Sequence, residues 1–237
     1  MWFFNFTNSF YLLSLAFLLQ TVSGVDPIKH FCFDHKISFN KGFEYNLDKM
    51  INSLSSDAPA TGFAEGELGQ NSEKVIAFAL CTAPLKSQQC QTCLEVGGRE
   101  IRSRCSTLEY KGGVIWYDDC MLKYANQKST DYLHSFFQCN PDTVKHPIRF
   151  RERKQKLFRR LIKEAQESPD LYAAGDINVG RSERIYGLFQ CTRNLSRFEC
   201  KVCLQNYSRK LRFACHKKVG GSVLSGSCNM RFEVYPF

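Results

Sequence analysis

After Leu19 the chain contains no second long apolar run, so no further segment offers the roughly 20 apolar residues that a membrane-spanning helix needs. The sequence therefore predicts neither a transmembrane segment nor a cytoplasmic domain behind one. The five histidines, His30, His35, His134, His146 and His216, include no pair at i, i+4, and with no such pair a helical metal site lacks its ligands. Gly-x-Ser-x-Gly, phosphate-loop and His-Glu-x2-His patterns are all missing, which removes the common marks of serine hydrolases, P-loop enzymes and zinc proteases. Asp118 and Asp119 form one acidic pair beside Cys120. Neighbours on a strand point to opposite faces, so this pair is a poor catalytic dyad and reads as turn or surface. No Gly/Ser tract interrupts the chain, so any domains it contains are expected to touch rather than swing on a flexible linker.

What is abundant is cysteine, 12 in 237 residues. Cys81, Cys90 and Cys93 make a Cys-x8-Cys-x2-Cys pattern that recurs at Cys191, Cys200 and Cys203, 110 positions on. Cys105 and Cys120 are echoed by Cys215 and Cys228, and Cys32 upstream is echoed by Cys139. All twelve fall into two copies of one six-cysteine frame, a spacing too long for a solenoid and characteristic of a duplicated domain. The expected division is a signal segment at 1–24, a first cysteine-rich domain at 25–137 and a second at 138–237.

The cysteines admit three chemistries. A zinc ribbon needs two close pairs to complete a tetrahedron, and here each Cys-x2-Cys is followed only by isolated cysteines. Thiol–disulfide exchange places its pair at a helix start in a thioredoxin-like setting, and four further cysteines per repeat would still need partners. Structural disulfides account for all six in each repeat. A domain of about 100 residues buries a modest core, and a bridge closing about 75 residues contributes roughly 4 kcal/mol by restricting the unfolded chain. Six cysteines allow 15 pairings, and spacing alone does not choose among them. Disulfides need an oxidising compartment. Phe10–Leu19 (FYLLSLAFLL) has the length of a secretory apolar core, and Val22-Ser-Gly24 follows as a small-residue cleavage site, although no Lys or Arg precedes the run.

The net charge of +9 is unevenly divided. Residues 25–137 hold 12 Lys/Arg against 14 Asp/Glu, whereas 138–237 hold 20 against 9. A basic second repeat is a well-hydrated surface or an attraction for an anionic partner such as wall polysaccharide or a lipid surface. Nucleic acid is a poor match, because the basic run 151–163 carries no recognisable binding module. Glu152, Glu164 and Glu167 dilute the same run as a membrane-surface helix.

Periodicity places a helix at Phe43, Leu47, Met50, Ile51 and Leu54, ended by Ser55–Pro59. A strand at 74–81 delivers Cys81 into the core. A second helix from Cys90 to Cys105 is weakened by Gly97-Gly98, and strands near 112–118 and 120–125 close the repeat. The second repeat runs in the same order: a basic helix at 150–167, a strand at 184–191, a helix from Cys200 to Cys215, and strands near 220–224 and 227–235.

This frame, with Ile185-Tyr-Gly-Leu-Phe-Gln-Cys191-Thr before it and Cys228-Asn-Met-Arg-Phe-Glu233 after it, resembles the plant cysteine-rich repeat secretory proteins. Their unit is the ginkbilobin-homologous, or salt-stress-response/antifungal, domain. The resemblance implies an α+β fold: two tandem disulfide-stapled domains, each two helices packed on one antiparallel β-sheet. It implies the pairings Cys32–Cys105, Cys81–Cys90 and Cys93–Cys120, then Cys139–Cys215, Cys191–Cys200 and Cys203–Cys228. Single-domain members of the family bind mannose through an Asn, an Arg and a Glu. The matching positions hold Phe33, Val114 and Ala125 in repeat one and Asn140, Ser222 and Glu233 in repeat two. The resemblance thus implies no sugar site in repeat one and, in repeat two, one that lacks its arginine. Asn194 and Asn206 head glycosylation sequons, Asn194 in the Cys191–Cys200 loop and Asn206 on the second helix. The function expected is non-enzymatic recognition in the plant extracellular space, in defence or stress, with no cofactor. It would act as a protein-interaction module with an extracellular protein partner. The alternative is a mannose-binding antifungal lectin that takes cell-wall or fungal glycan in the second repeat.

Overall fold

The computed structural model describes residues 26–35, 40–84, 86–127, 135–180 and 183–237. The apolar run at 10–19 and most of the segment between the repeats lie outside the described residues.

Each repeat folds as one five-stranded antiparallel sheet with two helices on one face. In the first domain the elements are β1 (Lys29–His35), α1 (Lys41–Thr61), β2 (Phe63–Leu68), β3 (Val75–Cys81), α2 (Ser87–Arg104), β4 (Tyr110–Trp116) and β5 (Cys120–Ala125). In the second they are β6 (Ser135–Cys139), α3 (Pro147–Glu167), β7 (Tyr172–Asn178), β8 (Arg184–Cys191), α4 (Arg197–Ala214), β9 (Gly221–Ser225) and β10 (Cys228–Glu233). The strand orders are β1-β4-β5-β3-β2 and β6-β9-β10-β8-β7. No described helix is long and apolar enough to cross a membrane.

Local chemistry sets the helix limits. Asn40 caps α1 by accepting from the backbone N–H groups of Gly42 and Phe43 at 2.9 and 3.1 Å, which satisfies two otherwise orphaned donors. Contrary to the expected stop at Ser55–Pro59, α1 runs through Pro59 to Thr61. Pro59 removes one ladder bond in the last turn only. Ala58 there is fully buried, and Gly62, at φ 82°, closes the helix by donating to the Ala58 carbonyl. α2 tolerates Gly97-Gly98 because the helix packs where side chains would not fit. A Cβ at Gly98 would lie 2.6 Å from Ile51 Cγ2 on α1.

The Cys-x8-Cys-x2-Cys pattern acquires a geometric meaning here. Cys90 and Cys93 stand at i, i+3 on α2 and so share one face of the helix. Cys90 bonds Cys81 on β3, and Cys93 bonds Cys120 on the adjacent β5. Cys81 and Cys120 are opposed in the strand register, so one helix is riveted to two neighbouring strands. The second domain repeats this with Cys191–Cys200, Cys203–Cys228 and the opposed pair Cys191 and Cys228. Cys32–Cys105 and Cys139–Cys215 tie the first strand of each domain to the end of its second helix.

The faces of the two sheets that lack helices meet each other. Phe33, Leu80, Val114, Trp116, Met121 and Ala125 form an apolar cluster there, with Phe31, Phe63 and Leu224 packed against it. Trp116 donates its indole N–H to the Ser225 carbonyl of the other domain at 3.3 Å. Gln190, 5% exposed, donates to the Cys81 carbonyl at 3.0 Å and accepts from the Ala83 N–H at 3.3 Å. Replacing Gln190 by Ala leaves both backbone groups without their partner at this contact. An expected loss of about 2 kcal/mol follows, because each orphaned buried group costs its desolvation. Urea denaturation of Gln190→Ala checks it, and an unchanged midpoint would show that the interface does not depend on this amide.

Candidate functional site

The contact between the sheets is incomplete, and at one end it opens into a cleft of about 470 Å³. Alternation along β10 supplies its wall. Cys228, Met230 and Phe232 belong to the core beneath the helices, so Asn229, Arg231 and Glu233 face the cleft. Ser222 on β9 lies opposite Arg231 in the register, and Gln138 on β6 lies opposite Ser222.

Asn140 and Glu233 come together in this cleft. Asn140 Nδ2 donates to Glu233 Oε2 at 3.0 Å, while its Oδ1 accepts from the Asp142 N–H at 3.0 Å and its own N–H donates to the Gly220 carbonyl at 3.1 Å. The carboxamide is thereby fixed in orientation. Glu233 is only 6% exposed. The space for its carboxylate exists because residue 220 is glycine: a Cβ there would sit 1.7 Å from Oε2.

Ser222 places no cation in the trio, but its cross-strand neighbour does. The Arg231 guanidinium is 3.6 Å from Asp118 Oδ1 of the first domain and 4.4 Å over the Phe237 ring. Sequence reasoning missed Arg231 as a site residue. Its signal was the strand period of two, which sets it on the same face as Glu233. Tyr235 and Phe237 stand exposed at the mouth, and Trp116, Asp118 and Gln190 line the cleft. The site can therefore offer an amide, a carboxylate and a guanidinium to hydroxyl groups, with aromatic faces for C–H surfaces.

The corresponding positions of the first repeat are part of the domain contact. Phe33, Val114 and Ala125 are all buried in the apolar cluster between the sheets. The face that carries polar groups in one domain is the docking face in the other. Asn194 and Asn206 are not among the residues that line the cleft. Asn194 is exposed in the Cys191–Cys200 loop, whereas Asn206 is half-buried on α4 with its carboxamide oxygen accepting from Arg209.

A family model described as salt stress response/antifungal matches residues 31–127 and again 138–235. An antimicrobial ginkbilobin-2-like protein of Castanea crenata is 39% identical over 234 residues, 97% of this chain and 95% of that protein. Cysteine-rich repeat secretory protein 38 of Arabidopsis thaliana is 35% identical over 243 residues, 100% of this chain and 95% of that protein. Among solved structures, the tandem DUF26 ectodomain of the Arabidopsis thaliana cysteine-rich receptor-like protein PDLP8 matches with a TM-score of 0.76. That match covers 90% of this chain and 100% of that one at 21% identity, a likeness of fold. With both six-cysteine repeats matched and full-length relatives above 30% identity, the chain belongs to the salt stress response/antifungal family, as a tandem pair of its domains.

Proposed function

We propose that this is a secreted, non-enzymatic recognition protein of the plant extracellular space that acts in defence or stress, and that the interdomain cleft receives the end of a mannose-type glycan. The observation that carries this reading is the Asn140–Glu233 pair held at 3.0 Å beside Arg231. A carboxylate and a fixed amide form a hydroxyl-recognising pair, and a neighbouring guanidinium supplies charged donors in a rigid fork. Arg231 would serve from β10 in place of an arginine at the Ser222 position. The antimicrobial and secretory names of the relatives support the setting.

Calorimetric titration with mannose and short manno-oligosaccharides tests it. Binding is expected in the wild type, with about a tenfold or greater loss in Glu233→Gln, since a hydrogen bond to a charged group is worth about 1.5–3 kcal/mol. No binding, or equal binding by the variant, would contradict the proposal.

A protein partner is the second reading, and one observation favours it. Phe213, in the last turn of α4, is 84% exposed, and a single projecting aromatic side chain can anchor a protein interface. Capture of an extracellular protein that survives both Glu233→Gln and excess mannose, but not Phe213→Ser, would select this reading.

A further inference from the structure

The second site lies on the opposite side of the second domain, between its helices. The buried faces of α1 and α3 correspond residue for residue, 107 positions apart: Phe43 with Phe150, Met50 with Leu157, Ile51 with Phe158 and Leu54 with Leu161. One pair puts a charge where the first domain has an apolar side chain. Leu47, 1% exposed in the first core, corresponds to Lys154, which is 6% exposed. Lys154 Nζ lies 4.4 Å from the Phe232 ring centroid and 5.8 Å from that of Phe150, and no carboxylate pairs with it among the described residues. Burial, with Arg212 adding repulsion, holds its pKa down to about 8. An ammonium at a core position without a counter-ion is costly.

The missing counter-ion is visible in the first domain. There Arg102 on α2 binds Asp48 on α1 at 2.7 Å. The matching residues of the second domain are Arg212 and Gln155, so the cation remains and its carboxylate does not. Glu95 of α2 is likewise matched by Gln205 on α4. Where Gly98 lets α1 and α2 close together, the matching Ser208 lines a groove of about 580 Å³ between α3 and α4. Lys154, Arg159, Lys163, Lys201, Arg209 and Arg212 line it, and no acidic residue does. Two of these cations have a local contact: Lys163 is 3.8 Å from Glu167, and Arg209 donates to Asn206. Gln155, Gln166, Gln205 and Ser208 stand among them.

We propose that the α3–α4 groove binds the carboxylates of an acidic polysaccharide built of uronic-acid units, with Lys154 and Arg212 together taking the carboxylate that Asp48 supplies internally in the first domain. Each unit of such a chain carries one carboxylate and several hydroxyls, which matches cations interleaved with neutral amides and a hydroxyl. The groove is concave and holds Lys154 at its base, a shape that suits a narrow chain better than a flat lipid surface. This site is separate from the interdomain cleft.

Calorimetric titration of the full chain with hexagalacturonate tests the proposal. Lys154→Leu and Gln155→Asp each install the first domain's residue, the first removing the buried cation and the second giving Arg212 an internal partner. Each is expected to weaken binding about tenfold or more, as loss of a charge-assisted contact does. The fully methyl-esterified oligomer should not bind, and Glu233→Gln should bind as the wild type does, so the outcome is independent of the mannose test. Lys154→Leu should also fold more stably at pH 7. That gain should shrink as pH rises from about 8 towards 10.5: over this range the folded lysine has shed its proton while the unfolded one keeps it, so wild-type stability rises with pH. No binding of hexagalacturonate, undiminished binding in both variants, or equal binding of poly-glutamate or phosphatidylserine vesicles with the same sensitivity to the variants would overturn the proposal.

Discussion

Removing the Cys139–Cys215 bridge by paired Cys→Ala substitution is expected to lower the unfolding free energy by about 4.5 kcal/mol, the chain-entropy value for a loop of this length. The two cysteines are 76 residues apart, and the loop they close contains α3, β7, β8 and all of α4. Without the bridge, β6 keeps its ladder with β9, the packing of Phe137 against Tyr207 at a ring-centroid distance of 6.2 Å, and the contact of Lys29 with the Phe136 ring. The Cys191–Cys200 bridge spans only nine residues, so its removal should cost closer to about 2.5 kcal/mol on the same scale. Guanidinium denaturation of both double variants checks the order. Equal losses would mean that local packing at the sulfurs, rather than loop closure, sets the contribution.

Trp116→Ala is the second large effect, with an expected loss of about 4 kcal/mol, within the range for emptying a buried large aromatic site. Trp116 is 1% exposed at the centre of the contact between the sheets. Its ring meets Phe31 edge-on at 5.9 Å, and its indole N–H reaches across to Ser225. The substitution therefore opens a cavity and also removes a hydrogen bond between the domains. Limited proteolysis should then release the domains singly before either unfolds, because each keeps its own core beneath its helices. If the variant unfolds as one unit at the wild-type midpoint, the sheet-to-sheet contact is not what joins the domains. Expressed from Val25, the chain has Trp116 as its single tryptophan, so intrinsic fluorescence reports this contact directly.

The features legible in the sequence were those that covalent chemistry or periodicity imposes over many residues. The cysteine frame announced duplication because a riveted helix needs Cys90 and Cys93 on one face and their partners at fixed reach. The stripe beginning at Phe43 marked a helix because it buries a continuous face. β1, β6 and β7 were not legible. These strands lie at the sheet edges, where partial burial blurs the alternation. Pro59 misled because a proline in the last turn forfeits one bond, which tertiary packing outweighs.

The sites divide in the same way. Asn140 and Glu233 could be named from motif positions, yet their contact depends on a glycine at 220 and a register 93 residues long in the chain. Arg231 became part of the cleft only once its strand was paired with β9. Lys154 was hidden by its own chemistry, since lysine on a basic helix reads as surface. Its burial against Phe232 and Phe150, at the position of Leu47 in the first domain, shows that it occupies a core position.

The recognition role in the cleft is tested most directly by a crystal structure of the protein soaked with mannobiose. The predicted result is a sugar in the interdomain cleft, its hydroxyls within hydrogen-bond distance of Asn140, Arg231 and Glu233 and one face against Phe237 or Tyr235. A sugar bound elsewhere, or an empty cleft at saturating ligand, would contradict it.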